Sequence, residues 1–142
     1  MKKSTSDLFE ALNKKRNIKV FLKENQSELI YESLSKMISF YMKQKGLKKE
    51  DVVSRSMLGN YAYYIISGKK PNPSRDKMIM LCFGLRLTAE EANRLLRMAA
   101  VGDLYPRNPR DAIIINALNF NLNVIEANNA LEELGEDELP LP

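Results

Sequence analysis

A chain of 142 residues with an apolar content of 44% is long enough for one compact core, and none of its apolar runs approaches the roughly 18 residues that a membrane span requires. The single cysteine, Cys82, excludes an intramolecular disulfide and is expected to be a buried thiol, which together with the lack of a secretory apolar run at the start favours the cytoplasm. The absence of histidine removes the commonest general base and zinc ligand, so we expect no enzymatic activity, cofactor or metal.

Helical periodicity dominates the sequence and no alternating run bounded by hairpin turns interrupts it, which predicts an all-α fold. Ser6 is the predicted N-cap of a first helix that ends at Lys15. Residues 18–23 allow a second short helix. Residues 1–26 therefore form a predicted N-terminal helical arm, which either contacts DNA or covers the core.

A longer helix is predicted from an N-cap at Ser27 to a stop at Gly46, because its apolar residues recur at helical spacing. Residues 48–55 predict a short helix with acids in its first turn, where the helix dipole favours them. Residues 60–67 predict another short helix, which Gly68 closes. Two short helices with a tight joint between them are typical of a helix-turn-helix.

The last part of the chain predicts two helical hairpins that resemble each other. Residues 75–104 align with residues 110–139 at a constant offset of 35, with nine identities in 30 positions. The capping pattern of Thr88 with Glu91 recurs at the same offset. We therefore expect two hairpins packed together, over residues 74–100 and 109–134.

Charge is divided unevenly along the chain. Between residues 43 and 75, eight basic groups stand against two acids, a local charge of +6. Residues 126–142 carry six acids and no base. The first segment suits a polyanion and the second repels one.

Three short motifs follow one another in the middle of the chain. Residues 46–53 contain Gly-Leu-Lys-Lys-Glu-Asp-Val-Val, residues 61–68 end in glycine, and Asn-Pro-Ser stands at residues 72–74. With these motifs in this order, residues 34–98 resemble the lambda-repressor and Cro-like (XRE-type) helix-turn-helix family. The resemblance implies a five-helix DNA-binding domain, here residues 27–104. Residues 105–142 would then be an additional C-terminal helical hairpin with an acidic tail, which either packs on the same core or stands apart.

In that family the third of the five helices enters the major groove, and residues 60–67 take its place here. Ala62 and Ile65 fit its core positions. The resemblance then implies base contacts from Asn60, Tyr61, Tyr63 and Tyr64. Asparagine can pair with adenine and tyrosine can touch a phosphate or a thymine methyl, although Tyr61 or Tyr63 could instead pack against the protein. The phosphate contacts implied by the resemblance come from Lys48, Lys49, Lys69, Lys70 and Arg75.

Two features depart from the family pattern. The glycine expected in the joint between the two short helices is replaced by the stretch at residues 56–59, and the joint is about one residue short. Ile66 replaces a residue that is usually polar, so we expect an exposed apolar group there. Both changes affect the base contacts more than the fold.

These patterns predict sequence-specific binding of double-stranded DNA by a transcriptional regulator, as a homodimer that reads two half-sites. The acidic hairpin would serve dimerisation or a protein partner. The alternative is a protein-interaction module, antitoxin-like or an adaptor, which keeps the fold without the DNA contacts and uses residues 63–66 as its partner surface. Convergence of the basic residues on the face of Tyr64 would favour DNA binding.

Overall fold

The computed structural model describes residues 4–14, 17–24, 33–69 and 72–142. All regular secondary structure within these ranges is α-helical, which confirms the predicted all-α class. The chain divides into two compact units, residues 1–32 and 33–142. None of the described helices combines the length and the apolar character that crossing a bilayer requires.

The first unit contains α1 (Thr5–Lys14) and α2 (Ile18–Glu24). Ser4 caps α1, because its hydroxyl accepts the Asp7 N–H at 3.1 Å while the Asp7 carboxylate accepts the Ser4 N–H at 3.2 Å. The prediction of Ser6 as the N-cap is therefore wrong. The reciprocal bonds satisfy two backbone donors at once, which a cap at Ser6 would not.

The described residues of the second unit form α3 (Leu34–Gln44), α4 (Lys49–Ser56), α5 (Asn60–Ser67), α6 (Arg75–Gly84), α7 (Ala89–Met98), α8 (Pro109–Asn119) and α9 (Val124–Glu133). The N-cap of α3 is Ser33, which is extended and accepts the Lys36 N–H at 3.3 Å. The N-cap predicted at Ser27 lies outside the described residues. The prediction of one continuous helix from Ser27 to Gly46 is nevertheless wrong, because the extended backbone of Ser33 interrupts it.

Helix α6 lies at the centre of the second unit. Every residue from Met78 to Leu85 is buried, and α4 and α7 pack against it. A Cβ added at Gly84 would lie 2.5 Å from the carbonyl oxygen of Val52 in α4, so glycine is required for this approach. Cys82 is fully buried, as predicted, and burial raises the pKa of its thiol.

Three turns between consecutive helices among the described residues have the same backbone conformation. Where α3, α6 and α8 end, a residue with positive φ precedes a leucine whose N–H donates back into the helix, as in a Schellman motif. The positive-φ residues are Gly46, Arg86 and Asn121, and the leucines are Leu47, Leu87 and Leu122. The sequence predicted the α6–α7 and α8–α9 hairpins as a pair, and the structure adds the similar turn between α3 and α4.

Hairpins α6–α7 and α8–α9 hold each other through reciprocal ion pairs. Arg75 pairs with Asp111 at 2.8 Å, and Arg110 pairs with Asp76 at 2.9 Å. Since Arg75 and Arg110 occupy equivalent positions of the repeat, each copy supplies the arginine for the aspartate of the other. The structure thus confirms that the two predicted hairpins pack together.

In each copy of the repeat, the same two hydrogen bonds join the second helix to the segment that follows it. Asn93 accepts the Leu104 N–H at 2.7 Å and donates to the Leu104 carbonyl at 3.4 Å. Asn128 and Leu139 repeat these bonds at 2.7 and 3.0 Å. An asparagine on the second helix therefore ties down the segment that follows each hairpin.

The outer surfaces of the two copies differ in charge. Arg97 pairs with Asp103 at 2.9 Å in the first copy. The equivalent residues of the second copy are Glu132 and Glu138, and both are exposed. The acidic charge at the end of the chain therefore lies on the outside of the second copy.

Arg55 connects the C-terminal hairpin to the rest of the second unit. Its Nε donates to the carbonyl of Phe83 at 3.0 Å, at the end of α6. Its Nη2 donates to the carbonyls of Asn121 and Leu122 at 3.0 and 3.2 Å, between α8 and α9. Residues 105–142 consequently belong to the same compact unit as residues 33–104.

Candidate nucleic-acid interface

The joint between α4 and α5 consists of Met57, Leu58 and Gly59. Met57 has a φ of 62° and takes the left-handed conformation at the end of α4. Ser56 is fully buried, where its hydroxyl donates to the Val53 carbonyl at 2.8 Å and accepts the Leu58 N–H at 3.2 Å. The turn is therefore defined by buried hydrogen bonds even though a methionine replaces the expected glycine.

One face of α5 is fixed in the core. Ala62 and Ile65 have no exposed surface, and Ile66 is 6% exposed. The expectation that Ile66 adds an exposed apolar group is wrong, because it lies one helical turn beyond Ala62 and shares its buried face. The apolar partner surface expected at residues 63–66 is correspondingly reduced to two tyrosines.

The other face of α5 is open. Asn60 is exposed, and Tyr63 and Tyr64 are 38% and 43% exposed. Tyr61 is half-buried, and the Lys77 Nζ lies 4.0 Å from the centre of its ring. Of the four predicted base-contacting residues, three are exposed and Tyr61 contacts the first turn of α6 instead.

Lys77 is a basic residue beside this helix that sequence reasoning missed. It lies in the first turn of α6, two residues after Arg75, and a second basic residue so close to Arg75 is the sequence signal that could have identified it. Lys77 and Tyr61 also line a hollow of about 340 Å³ with residues 140–142. The end of the described chain therefore lies close to the beginning of α5.

Three of the predicted phosphate-contacting lysines are exposed at helix ends. Lys48 is the N-cap of α4, Lys49 is its first residue, and Lys69 follows the C-cap of α5. No carboxylate in the described part of the chain forms an ion pair with them. The structure thus places exposed cations at the ends of two helices that contact each other. The prediction for Lys70 lies outside the described residues.

Arg75 differs from these lysines. Besides its pair with Asp111, its Nε donates to the Gly102 carbonyl at 3.3 Å and its Nη2 to the Asp103 carbonyl at 2.9 Å. Arg55, which contributes to the same local charge of the sequence, is likewise bonded within the protein. The exposed basic surface is therefore smaller than the local charge of the sequence indicates, and Arg75 is not among its free cations.

No protein-family model, curated protein or solved structure matches this chain. The resemblance of residues 34–98 to the lambda-repressor and Cro-like family accordingly rests on the sequence motifs. The exposed side chains of α5 and the cations at the helix ends are the structural features that bear on function.

Proposed function

We propose that this protein binds double-stranded DNA with sequence specificity through α5 and acts as a transcriptional regulator. The observation that carries the proposal is the two-sided character of α5. Ala62, Ile65 and Ile66 hold the helix in the core, while Asn60 and Tyr64 are directed to the outside. A helix that is fixed on one side and polar on the other can present its side chains to base edges in a major groove.

The order of helices supports a lambda-repressor-like arrangement. In this proposal α3 to α7 are the five helices of the domain, and α4 with α5 form the helix-turn-helix. The C-terminal end of α5 lies at the N-terminal end of α3, since a Cβ at Gly68 would be 3.4 Å from the Ser35 hydroxyl. The α8–α9 hairpin is the addition to this domain.

Electrostatics support DNA as the ligand. Lys48, Lys49 and Lys69 are exposed without ion pairs among the described residues, so they are available to phosphates. Such contacts give affinity and orientation, whereas the exposed side chains of α5 would select the sequence. A homodimer would place two copies of α5 on successive half-sites. We assign Cys82 no catalytic role, since its thiol is buried and its pKa is raised.

The test is selection from a randomised duplex pool at about 0.15 M salt, where non-specific binding is weak. We expect enrichment of a defined, two-fold-related motif. Lys48→Ala/Lys69→Ala should weaken binding to all sequences. It should also reduce the slope of log affinity against log salt concentration by the contribution of about two phosphate contacts. Asn60→Ala should instead relax the preference at particular base positions.

Arg107→Ala is the matched charge control, because Arg107 is exposed on the loop before α8, remote in sequence from α4 and α5. It should leave the motif and the affinity unchanged. If the folded protein enriches no sequence, the regulator proposal is wrong. The adjacent exposed rings of Tyr63 and Tyr64 would then favour the protein-interaction module, because tyrosine is enriched at protein interfaces.

A further inference from the structure

A groove of about 420 Å³ lies where the turns after α3, α6 and α8 meet. Leu47 comes from the first turn, Arg86 from the second and Asn123 from the third. Arg55 of α4 and the apolar side chain of Ile125 also line it. The groove is separate from the exposed face of α5.

Two guanidinium groups, those of Arg55 and Arg86, line this groove. The hydrogen bonds of Arg55 end on carbonyl and amide oxygens, those of Phe83, Asn121 and Leu122. Arg86 donates to the Asn121 side chain at 3.4 Å. Within the described residues neither arginine forms a salt bridge.

The two arginines are electrostatically unfavourable together. Burial and then the charge of Arg86 lower the pKa of Arg55, and the charge of Glu126 opposes them. Asp51 also lines the groove but forms no ion pair with either arginine. An anion held between the guanidinium groups would relieve their repulsion, and the planar donors of arginine suit phosphate and carboxylate oxygens.

The backbone at Arg86 supplies an independent observation. Its φ of 53° lies in the left-handed region, where the equivalent turns have Gly46 and Asn121. Glycine and asparagine tolerate this conformation, whereas arginine is strained in it. A strained residue whose cation lines a groove points to a role for that cation beyond the turn.

We propose that this groove binds a small organic anion, with a phosphate or carboxylate group between Arg55 and Arg86 and its apolar part against Ile125. Arg55 is held by α6 and the α8–α9 turn, so it provides a preorganised half of the site. Arg86 is exposed and provides the half that closes on the ligand. The proposal does not depend on DNA binding.

The test is titration of the full chain with phenyl phosphate and, separately, with benzoate and inorganic phosphate, followed by backbone amide NMR. We expect saturable shifts for at least one organic probe at the amides of Asn123, Val124 and Ile125. Arg86→Asn should weaken that binding about tenfold while preserving the turn, because asparagine already occupies the equivalent position of the α8–α9 turn.

Arg94→Asn is the matched control, since Arg94 lies on α7 and does not line the groove. Its affinity for the probe should equal that of the unmodified protein. Three results would overturn the proposal: shifts that do not saturate, shifts located away from the groove, or unchanged affinity in the folded Arg86→Asn variant. Tighter binding of inorganic phosphate than of both organic probes would overturn the apolar part of the assignment.

Discussion

Gly84 sets the distance between α4 and α6. A side chain here would meet backbone, since the added Cβ lies 2.5 Å from the Val52 carbonyl oxygen and 3.0 Å from the Ser56 Cβ. We therefore expect Gly84→Ala to lower the free energy of unfolding by about 2 kcal/mol, although alanine has the higher helix propensity. Urea denaturation measures the loss. Ser54→Ala, at an exposed position of α4, should change stability by less than about 0.5 kcal/mol.

Met57 is strained in the turn that precedes α5. Its φ of 62° is costly for a residue with a Cβ, so Met57→Gly should raise the free energy of unfolding by about 0.5 to 1 kcal/mol. Met57→Ala keeps the strain and should give no such gain. Equal stability of the two variants in thermal denaturation would refute this account of the turn.

The sequence predicted some residue environments and not others. Buried Cys82 follows from its apolar neighbours, and the helix stop at Gly46 follows from the residue type. The left-handed conformations of Met57 and Arg86 could not be predicted, because residues with a Cβ rarely adopt them. Met57 gives no sequence signal of the turn that it forms.

At the scale of the element, the beginning of α7 combines a cap with an ion pair. Partial burial opposes ionisation of Glu91, but hydrogen bonds from the Thr88 backbone and from Lys45, together with the charge of Lys45, outweigh it and lower the pKa of Glu91. The Lys45 Nζ lies 3.0 Å from the carboxylate. Since the folded pKa is depressed, this stabilisation is present above the unfolded pKa of about 4.3 and is lost as the pH falls through the folded value.

Glu91→Gln should keep the cap and remove the charge. We expect it to be less stable than the unmodified protein by about 1 kcal/mol at about pH 7, and the difference to shrink at about pH 3. Glu126→Gln is the control, because Glu126 holds the same place in the capping box of α9 without an ion pair among the described residues. A difference that persists unchanged at the lower pH would contradict this assignment.

Helix beginnings were predicted well where one residue offers the cap. Thr88 and Asn123 cap α7 and α9 with complete capping boxes, as the sequence predicted. The beginning of α1 was predicted wrongly because Ser4 and Ser6 both offer a hydroxyl. The choice depends on the reciprocal bond that Asp7 makes with Ser4.

At the scale of the whole molecule, the two reciprocal ion pairs, Arg75–Asp111 and Arg110–Asp76, occupy equivalent positions of the repeat but differ in how deeply their aspartates are buried. The Asp111 side chain is 8% exposed and also accepts the Tyr105 N–H at 3.0 Å, whereas the Asp76 side chain is 33% exposed. Asp111→Ala removes the buried carboxylate that accepts from both Arg75 and the Tyr105 N–H, so we expect a loss of about 3 kcal/mol. Asp76→Ala should cost about 1 kcal/mol. Equal losses in chemical denaturation would show that burial does not distinguish the pairs.

The sequence predicted the internal repeat but not how the second copy joins the rest of the unit. Identities at equivalent positions revealed the copies, including the arginines at 75 and 110. The anchor made by Arg55 could not be found in this way, because a single arginine on α4 has no pattern that distinguishes an internal contact from a phosphate contact. The same ambiguity made the exposed basic surface look larger than it is.

The two copies of the repeat share their internal hydrogen bonds but differ in the charge of their outer surfaces. Both copies retain the bonds of the asparagine, at Asn93 and at Asn128, to the segment that follows. In the second copy, however, the Arg97–Asp103 pair of the first is replaced by two acids. The bonds that hold each hairpin in place therefore do not depend on the charge of its outer surface. The charge of the α8–α9 surface can be inverted without altering any of these bonds.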